Sequence, residues 1–182
     1  MPRSSSFPWS ASSGCSAAVS PFRPDLVECW IYRQRLGGDP EFLLIRRAPG
    51  RIFAGLWQCV TGGLEPGERV PMAALREVGE EIGFGPAEIE AFYDLDQVTQ
   101  FYDEGSDAIV AGAIFALRVG PGVEPTLSDE HDAFRWAGRD EAVRLTVWPT
   151  YRETIDRITG VLLVPTSEPW FRLDLEGRRL AR

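Results

Sequence analysis

Apolar and polar positions divide the chain into a mixture of strands and helices. Leu26, Val27, Cys29, Trp30, Ile31 and Tyr32 make a strand-like run interrupted only by Glu28, and the Gly37-Gly38-Asp39-Pro40 turn chemistry that follows points to a hairpin. Phe42–Ile45 is a short buried run closed by Arg46 and Arg47, the returning strand. Residues 48–56 read as a loop, Trp57–Val60 as a short strand, and residues 62–68, with three glycines and a proline, as a second loop. A helix is expected from Val70 to Ile82, stopped by Gly83. Two long strands, Ile89–Phe101 and Ala108–Val119, join near Asp103–Asp107, and Phe134–Trp136 is another short strand. Helical patterns cover Arg139–Leu145 and Pro149–Thr159, and the tail over 163–182 alternates Phe171, Leu173 and Leu175 as an edge strand would. Strands mixed with two or three helices predict an α/β layered domain over residues 25–162. Residues 1–24 carry eight serines in the first 20 positions with four prolines and no signal-peptide core, and read as a disordered extension.

Composition narrows the chemistry. The 182 residues include 27 acids and 19 bases, for a formal charge of −8. All the bases are arginine, and His131 is the single histidine. Lysine-based Schiff bases and a Walker-A lysine are therefore excluded, as is a multi-histidine zinc site. An acidic chain repels duplex nucleic acid, and its apolar runs are too short to span a membrane. The three cysteines, Cys15, Cys29 and Cys59, are widely spaced and odd in number, which suits ordinary thiols in a reducing, cytoplasmic compartment. Monomer and homodimer are equally compatible with these numbers.

The stretch from Gly62 to Phe84, GGLEPGERVPMAALREVGEEIGF, is where chemistry concentrates. On a helix with about 100° per residue, Leu75, Val78 and Ile82 share one face with Gly79, and Glu77, Glu80 and Glu81 gather nearly opposite. Like charges at i and i+4 weaken a helix, and Glu80 and Glu81 lie at the end where the macrodipole disfavours anions. The arrangement costs stability unless a cation sits on it, and hard carboxylate oxygens suit Mg²⁺ or Mn²⁺. Arg76, just before the first of these acids, is placed to bridge them.

This stretch resembles the Nudix box, G-x5-E-x7-R-E-U-x-E-E-x-G-U with U a bulky apolar residue, through Gly62, Glu68, Arg76, Glu77, Val78, Glu80, Glu81, Gly83 and Phe84. The resemblance implies an α/β/α sandwich with a mixed sheet and hydrolysis of a nucleoside diphosphate linked to another group. It implies that Glu77 and Glu81 are the main metal ligands and that Glu80 is a ligand or lies close behind. Arg76 belongs to the same catalytic group, and Gly62, Glu68 and Gly83 support the box. Family members often add an acidic ligand from beyond it. Glu130 is the choice here, in the segment Ser128–Trp136, with Asp129 and Asp132 as alternatives, and His131 beside it reads as a surface residue. The general base stays open among Glu77, Glu130 and a metal-bound hydroxide.

Leu56–Gly63, Glu130–Trp136 and Trp148-Pro149 are similar to the dATP pyrophosphohydrolase, or dihydroneopterin triphosphate pyrophosphatase, branch of the family. That similarity implies cleavage of a nucleoside or pterin triphosphate to the monophosphate and pyrophosphate. Arg47, Trp57 and Gln58 are the substrate-binding candidates, with a small nucleotide as the partner. Dinucleoside polyphosphate or ADP-ribose hydrolysis is the alternative, and a non-catalytic nucleotide-sensing domain a further one.

Overall fold

The computed structural model describes residues 23–34 and 38–181. Eight strands form one mixed sheet: β1 (Leu26–Gln34), β2 (Pro40–Arg47), β3 (Trp57–Gln58), β4 (Val60–Gly63), β5 (Ile89–Asp103), β6 (Ala108–Val119), β7 (His131–Gly138) and β8 (Arg172–Leu173). The order is β3-β2-β1-β6-β5-β8, with β4 paired to β1 and β7 to β2. β1 and β6 run parallel, and the other pairings are antiparallel. β1 pairs with β2 over Tyr32–Gln34 and with β4 over Leu26–Cys29, so the sheet splays at this strand and the first turn of the box is built into its open end.

Alternation along β1 sends Val27, Cys29 and Ile31 to one face, and Trp30 and Tyr32 to the other. The first face packs on α1 (Val70–Ile82) through Ala73, Ala74, Val78 and Ile82. The second packs on α2 (Arg139–Leu145) and α3 (Pro149–Arg157) through Ala142, Tyr151 and Ile155. A π-helical turn, Ile158–Leu162, and the short α4 (Glu168–Phe171) complete that layer. This is an α/β/α sandwich with a mixed sheet, as expected. Among the described residues no helix is long and apolar enough to cross a membrane.

Several boundaries differ from the sequence reading. Gly62 and Gly63 are strand residues of β4, because their backbone pairs with Val27 and Leu26. The Trp57–Val60 run splits, with β3 pairing to β2 and β4 to β1. β7 reaches from His131 to Gly138, well beyond Phe134–Trp136, since β2 offers a partner along its whole length. The expected edge strand in the tail is two residues long, paired to β5, with Leu173 buried in the core. Residues 1–22 of the proposed extension, Cys15 and Gly37 of the expected turn lie outside the described residues. Arg23 donates to the carbonyls of Glu65 and Glu68 in the loop before α1.

The docked face of α1 is also rotated from the expected one. Ala73, Ala74, Val78 and Ile82 are buried, whereas Leu75 is half-buried and Gly79 exposed. The two alanines allow close approach to the sheet and shift the buried arc by roughly 60° relative to one centred on the larger apolar residues. The acids consequently span a gradient, with Glu81 buried, Glu77 half-buried and Glu80 exposed.

Candidate active site

Two chain segments, far apart in sequence, build the site. α1 ends on Gly83, whose left-handed backbone (φ 74°) lets its N–H reach the Gly79 carbonyl. The next carbonyls would be unpaired, but Ser128 N–H donates to Glu81 O at 2.9 Å and Thr126 N–H to Ile82 O at 3.0 Å. A Cβ at Gly83 would meet the Thr126 side chain at 3.3 Å, so glycine suits both the turn and the docking. These bonds bring Ser128, Asp129 and Glu130 alongside the C-terminal end of α1. Ala48 N–H to Glu130 O, at 2.9 Å, fixes the same segment from the β2 side.

The result is an open cleft of about 410 Å³ lined by Thr61, Gly62, Gly63, Glu77, Glu80, Glu81, Ser128, Asp129 and Glu130. Arg76 organises one wall. Its guanidinium donates to both oxygens of Glu68 (3.0 and 3.1 Å), to Glu77 Oε1 (2.7 Å), to Glu80 Oε2 (2.9 Å) and to the Gly63 carbonyl (2.9 Å). The forked contact with Glu68 holds that carboxyl below its usual range, and Glu68 also accepts from the Glu65 backbone N–H. Glu77 is pushed up, chiefly by burial, against the pull of Arg76. Gly62 packs directly on Glu77, and a Cβ there would fall 1.9 Å from the carboxyl carbon. Only glycine leaves that carboxylate its place.

Glu81 is the unusual group. It is 5% exposed, and its Oε2 is buried with no hydrogen-bond partner. Burial, then the Glu77 and Glu130 charges, push its pKa up to about 8, against the Thr61 backbone N–H, which favours the carboxylate. A buried oxygen without a donor is expensive, and a cation in the cleft would relieve it.

Arginines from the β2 side back the Asp129–Glu130 edge of the cleft without lining it. Arg47 pairs with Glu130 at 3.0 Å, and Arg51 with Asp129 at 3.2 Å and Glu130 at 3.4 Å. Asp132, an alternative to Glu130, instead pairs with Arg46 at 2.7 Å and is absent from the cleft lining. His131 is not the surface residue expected. It is 4% exposed, both ring nitrogens lack partners, and burial with the Arg47 charge pushes its pKa down to about 4. The bulge at Arg46/Arg47, where His131 pairs with Arg47, turns it inward.

Of the substrate-binding candidates, Arg47 reaches the cleft through Glu130. Gln58 is buried and donates to Thr61 Oγ1 at 3.2 Å, directly beneath the lining. Trp57 has the guanidinium groups of Arg46 and Arg135 over its ring, at 5.7 and 5.8 Å from the centroid. Arg51, which with Arg46 and Arg47 the sequence offers to offset substrate phosphates, reaches the cleft edge through Asp129 and Glu130, whereas sequence reasoning missed the backbone roles of Thr61 and Ser128. It also missed Glu28, which lies opposite Thr61 in the β1/β4 ladder. Glu28 is 5% exposed with an unpartnered Oε2, and burial lifts its pKa to about 7. The Trp30 indole N–H is near enough to favour its carboxylate, yet itself lacks a partner of hydrogen-bonding geometry. A single acid inside an apolar strand was the available signal.

Among the described residues, no three His, Cys, Asp or Glu side chains stand arranged to hold a metal. Arg76 instead holds Glu77 and Glu80 in ion pairs at 2.7 and 2.9 Å. The donor set nevertheless fits a hard divalent cation. It is all oxygen, it leaves Glu81 Oε2 unsatisfied, and its members face one cleft.

Comparison with known proteins agrees with this geometry. The NUDIX domain profile matches residues 24–158. The chain is 36% identical over 126 residues to an octanoyltransferase of Myxococcus xanthus, covering 68% of this chain but only 34% of that protein's length. It is 30% identical over 130 residues to the nucleoside triphosphatase NudI of Escherichia coli, covering 68% of this chain and 91% of that protein. Among solved structures, a NUDIX hydrolase from Listeria monocytogenes superposes with TM-score 0.64 at 23% identity, over 76% of this chain and 93% of that one. The dihydroneopterin triphosphate pyrophosphohydrolase of E. coli superposes with TM-score 0.61 at 25% identity, over 74% and 94%.

Proposed function

This chain belongs to the NUDIX family, and from that premise we propose that it hydrolyses a nucleoside or pterin triphosphate to the monophosphate and pyrophosphate, using Mg²⁺ or Mn²⁺. The observation that carries the reading is the cleft itself, where Glu77, Glu80 and Glu81 on α1 face Glu130 and the buried Oε2 of Glu81 awaits a partner. The likeness to NudI and to the dihydroneopterin triphosphate enzyme supports a triphosphate over other nucleotides. Glu77, Glu81 and Glu80, with Glu130, would hold the metal. When bound, a divalent ion neutralises charge on the phosphoryl oxygens and makes an attacking water more acidic.

The chain's own groups do the rest. Water adds to a phosphorus of the α–β bridge, the bridging P–O bond breaks with its electron pair kept by the departing phosphate group, and the water's proton passes to a cleft carboxylate, which gives the monophosphate and pyrophosphate. Arg76 keeps Glu68, Glu77 and Glu80 in register, so their mutual repulsion does not splay the wall. Gly62 leaves room for Glu77. Arg47 and Arg51, held at the rim by Glu130 and Asp129, are placed to exchange those partners for substrate phosphates. The buried, unpaired thiols of Cys29 and Cys59 support a reducing cytoplasm as its setting.

The test is pyrophosphate release with Mg²⁺ from a panel of NTPs, dNTPs, dihydroneopterin triphosphate, ADP-ribose and diadenosine polyphosphates. Turnover of a triphosphate to monophosphate and pyrophosphate is expected. Turnover of none would overturn the hydrolase reading, and turnover of ADP-ribose or a diadenosine polyphosphate alone would move the substrate class.

A further inference from the structure

β5 outruns the strand beside it. β6 pairs with one edge of β5 as far as Asp103, but β8 pairs with the other edge only at Phe92 and Tyr93. Among the described residues no strand covers that outer edge from Val98 to Asp103. An uncovered edge is a row of unpaired N–H and C=O groups, which proteins ordinarily protect with lysine, proline, a bulge or an inward-facing charge. Val98-Thr99-Gln100-Phe101-Tyr102 holds no charge and no proline. The irregularity in β5 comes earlier, between Asp94 and Val98, where Asp96 has a left-handed backbone (φ 50°), so the regular edge begins after it.

The side chains on this edge are equally uncovered. Val98 is 50%, Phe101 45% and Tyr102 60% exposed, and Ile109, opposite Tyr102 on β6, is 65% exposed. The hairpin that carries them is braced from within. Asp103 accepts from the Ser106 N–H at 2.9 Å and from its hydroxyl at 2.6 Å, and the Tyr102 hydroxyl donates to Asp107 at 2.9 Å. None of these residues lines the acidic cleft.

Charge and register together select the partner. Two copies of a chain with net charge −8 repel one another, and least where the facing surfaces are neutral, as this edge is. The edge is also complementary to itself. An antiparallel pair related by a two-fold axis at Gln100 sets Val98 opposite Tyr102 and Thr99 opposite Phe101, so every flanking pair joins a β-branched residue to an aromatic one. Moving the axis to Phe101 would instead set Val98 against Glu104 and Thr99 against Asp103. The four exposed side chains offer on the order of 400 Å² per copy, and with the two strand backbones a pair of copies covers about 1,000 Å², the lower bound of a specific interface.

We propose that the outer edge of β5 joins two copies of this chain, continuing one sheet into the other across a two-fold axis at Gln100. The dimer is independent of what the cleft hydrolyses, and its test needs no substrate. Sedimentation velocity from about 1 to 200 µM should show a monomer–dimer equilibrium that moves toward dimer with concentration. Val98→Lys and Phe101→Lys, which place the missing charge on either face of the edge, should each stay monomeric with native circular dichroism. Ile52→Lys, at a 75% exposed apolar site off this edge, should dimerise like the parent. Register is read separately, in a Cys15→Ser background where the remaining thiols, Cys29 and Cys59, are buried. Mild oxidation should link copies of Gln100→Cys, whose Cα atoms would face each other at about 5 Å, and not copies of Val98→Cys, about 13 Å apart. A parent that is monomeric throughout the range overturns the proposal, as does a dimer that survives both lysine variants. Linking of Val98→Cys without Gln100→Cys overturns the two-fold axis.

Discussion

Replacing Glu28 by glutamine should alter the shape of the stability–pH curve, not only its height. The carboxyl is almost fully buried, its Oε2 has no partner, and burial raises its pKa from 4.5 to about 7. Below pH 4.5 it is protonated in folded and unfolded chains alike. Between 4.5 and 7 the unfolded chain releases the proton while the folded chain keeps it, so stability falls as pH rises. Above 7 both states are ionised and the loss is complete. At about 1.36 kcal/mol per pH unit, the displacement amounts to about 3 kcal/mol. Glutamine lacks the titration. Its amide brings donors that also need partners, but that penalty is constant with pH and shifts the curve without bending it. Urea denaturation of both proteins from pH 4.5 to 8, without divalent cations, gives the difference in unfolding free energy at each pH. That difference should move in favour of Glu28→Gln by about 3 kcal/mol across the range. A change under about 1 kcal/mol would refute the claim that a charged Glu28 is poorly accommodated.

Three further outcomes follow from the cleft. Glu81→Gln should lower kcat by at least about a hundredfold while circular dichroism stays native, because the residue supplies the oxygen that lacks a partner; near-normal turnover would show that the metal is misplaced. Gly62→Ala should displace Glu77 and cost a similar factor in kcat with little change in melting temperature; full activity would mean the close packing there is dispensable. Arg76→Ala should destabilise the fold by about 2 kcal/mol or more in urea, since three carboxylates lose their common counter-charge, and an unchanged midpoint would contradict its organising role.

The periodic pattern of the chain carried much of this. The span of α1, its end at Gly83 and the two long strands were legible because apolar spacing and a left-handed cap act locally. The acids on α1 were legible as a group, but their burial order was not: Ala73 and Ala74 decide which side docks, and small residues leave a weak signal. His131 and Glu28 escaped for a related reason. Their burial depends on a bulge in β2 and on the splay of β1, both products of strand pairing across the sheet. Thr126 and Ser128 act through backbone N–H groups, to which side-chain identity gives no access.

The segment over residues 126–130 is fastened to the end of α1 by main-chain bonds alone, at Thr126 and Ser128, so its path survives changes in the side chains it displays. Asp129 can then drift, trading acid for hydroxyl or arginine, while Glu130 keeps its place on the wall with Glu81. Reactive geometry and substrate preference are thereby inherited separately, and a lineage can change what it hydrolyses without first rebuilding how.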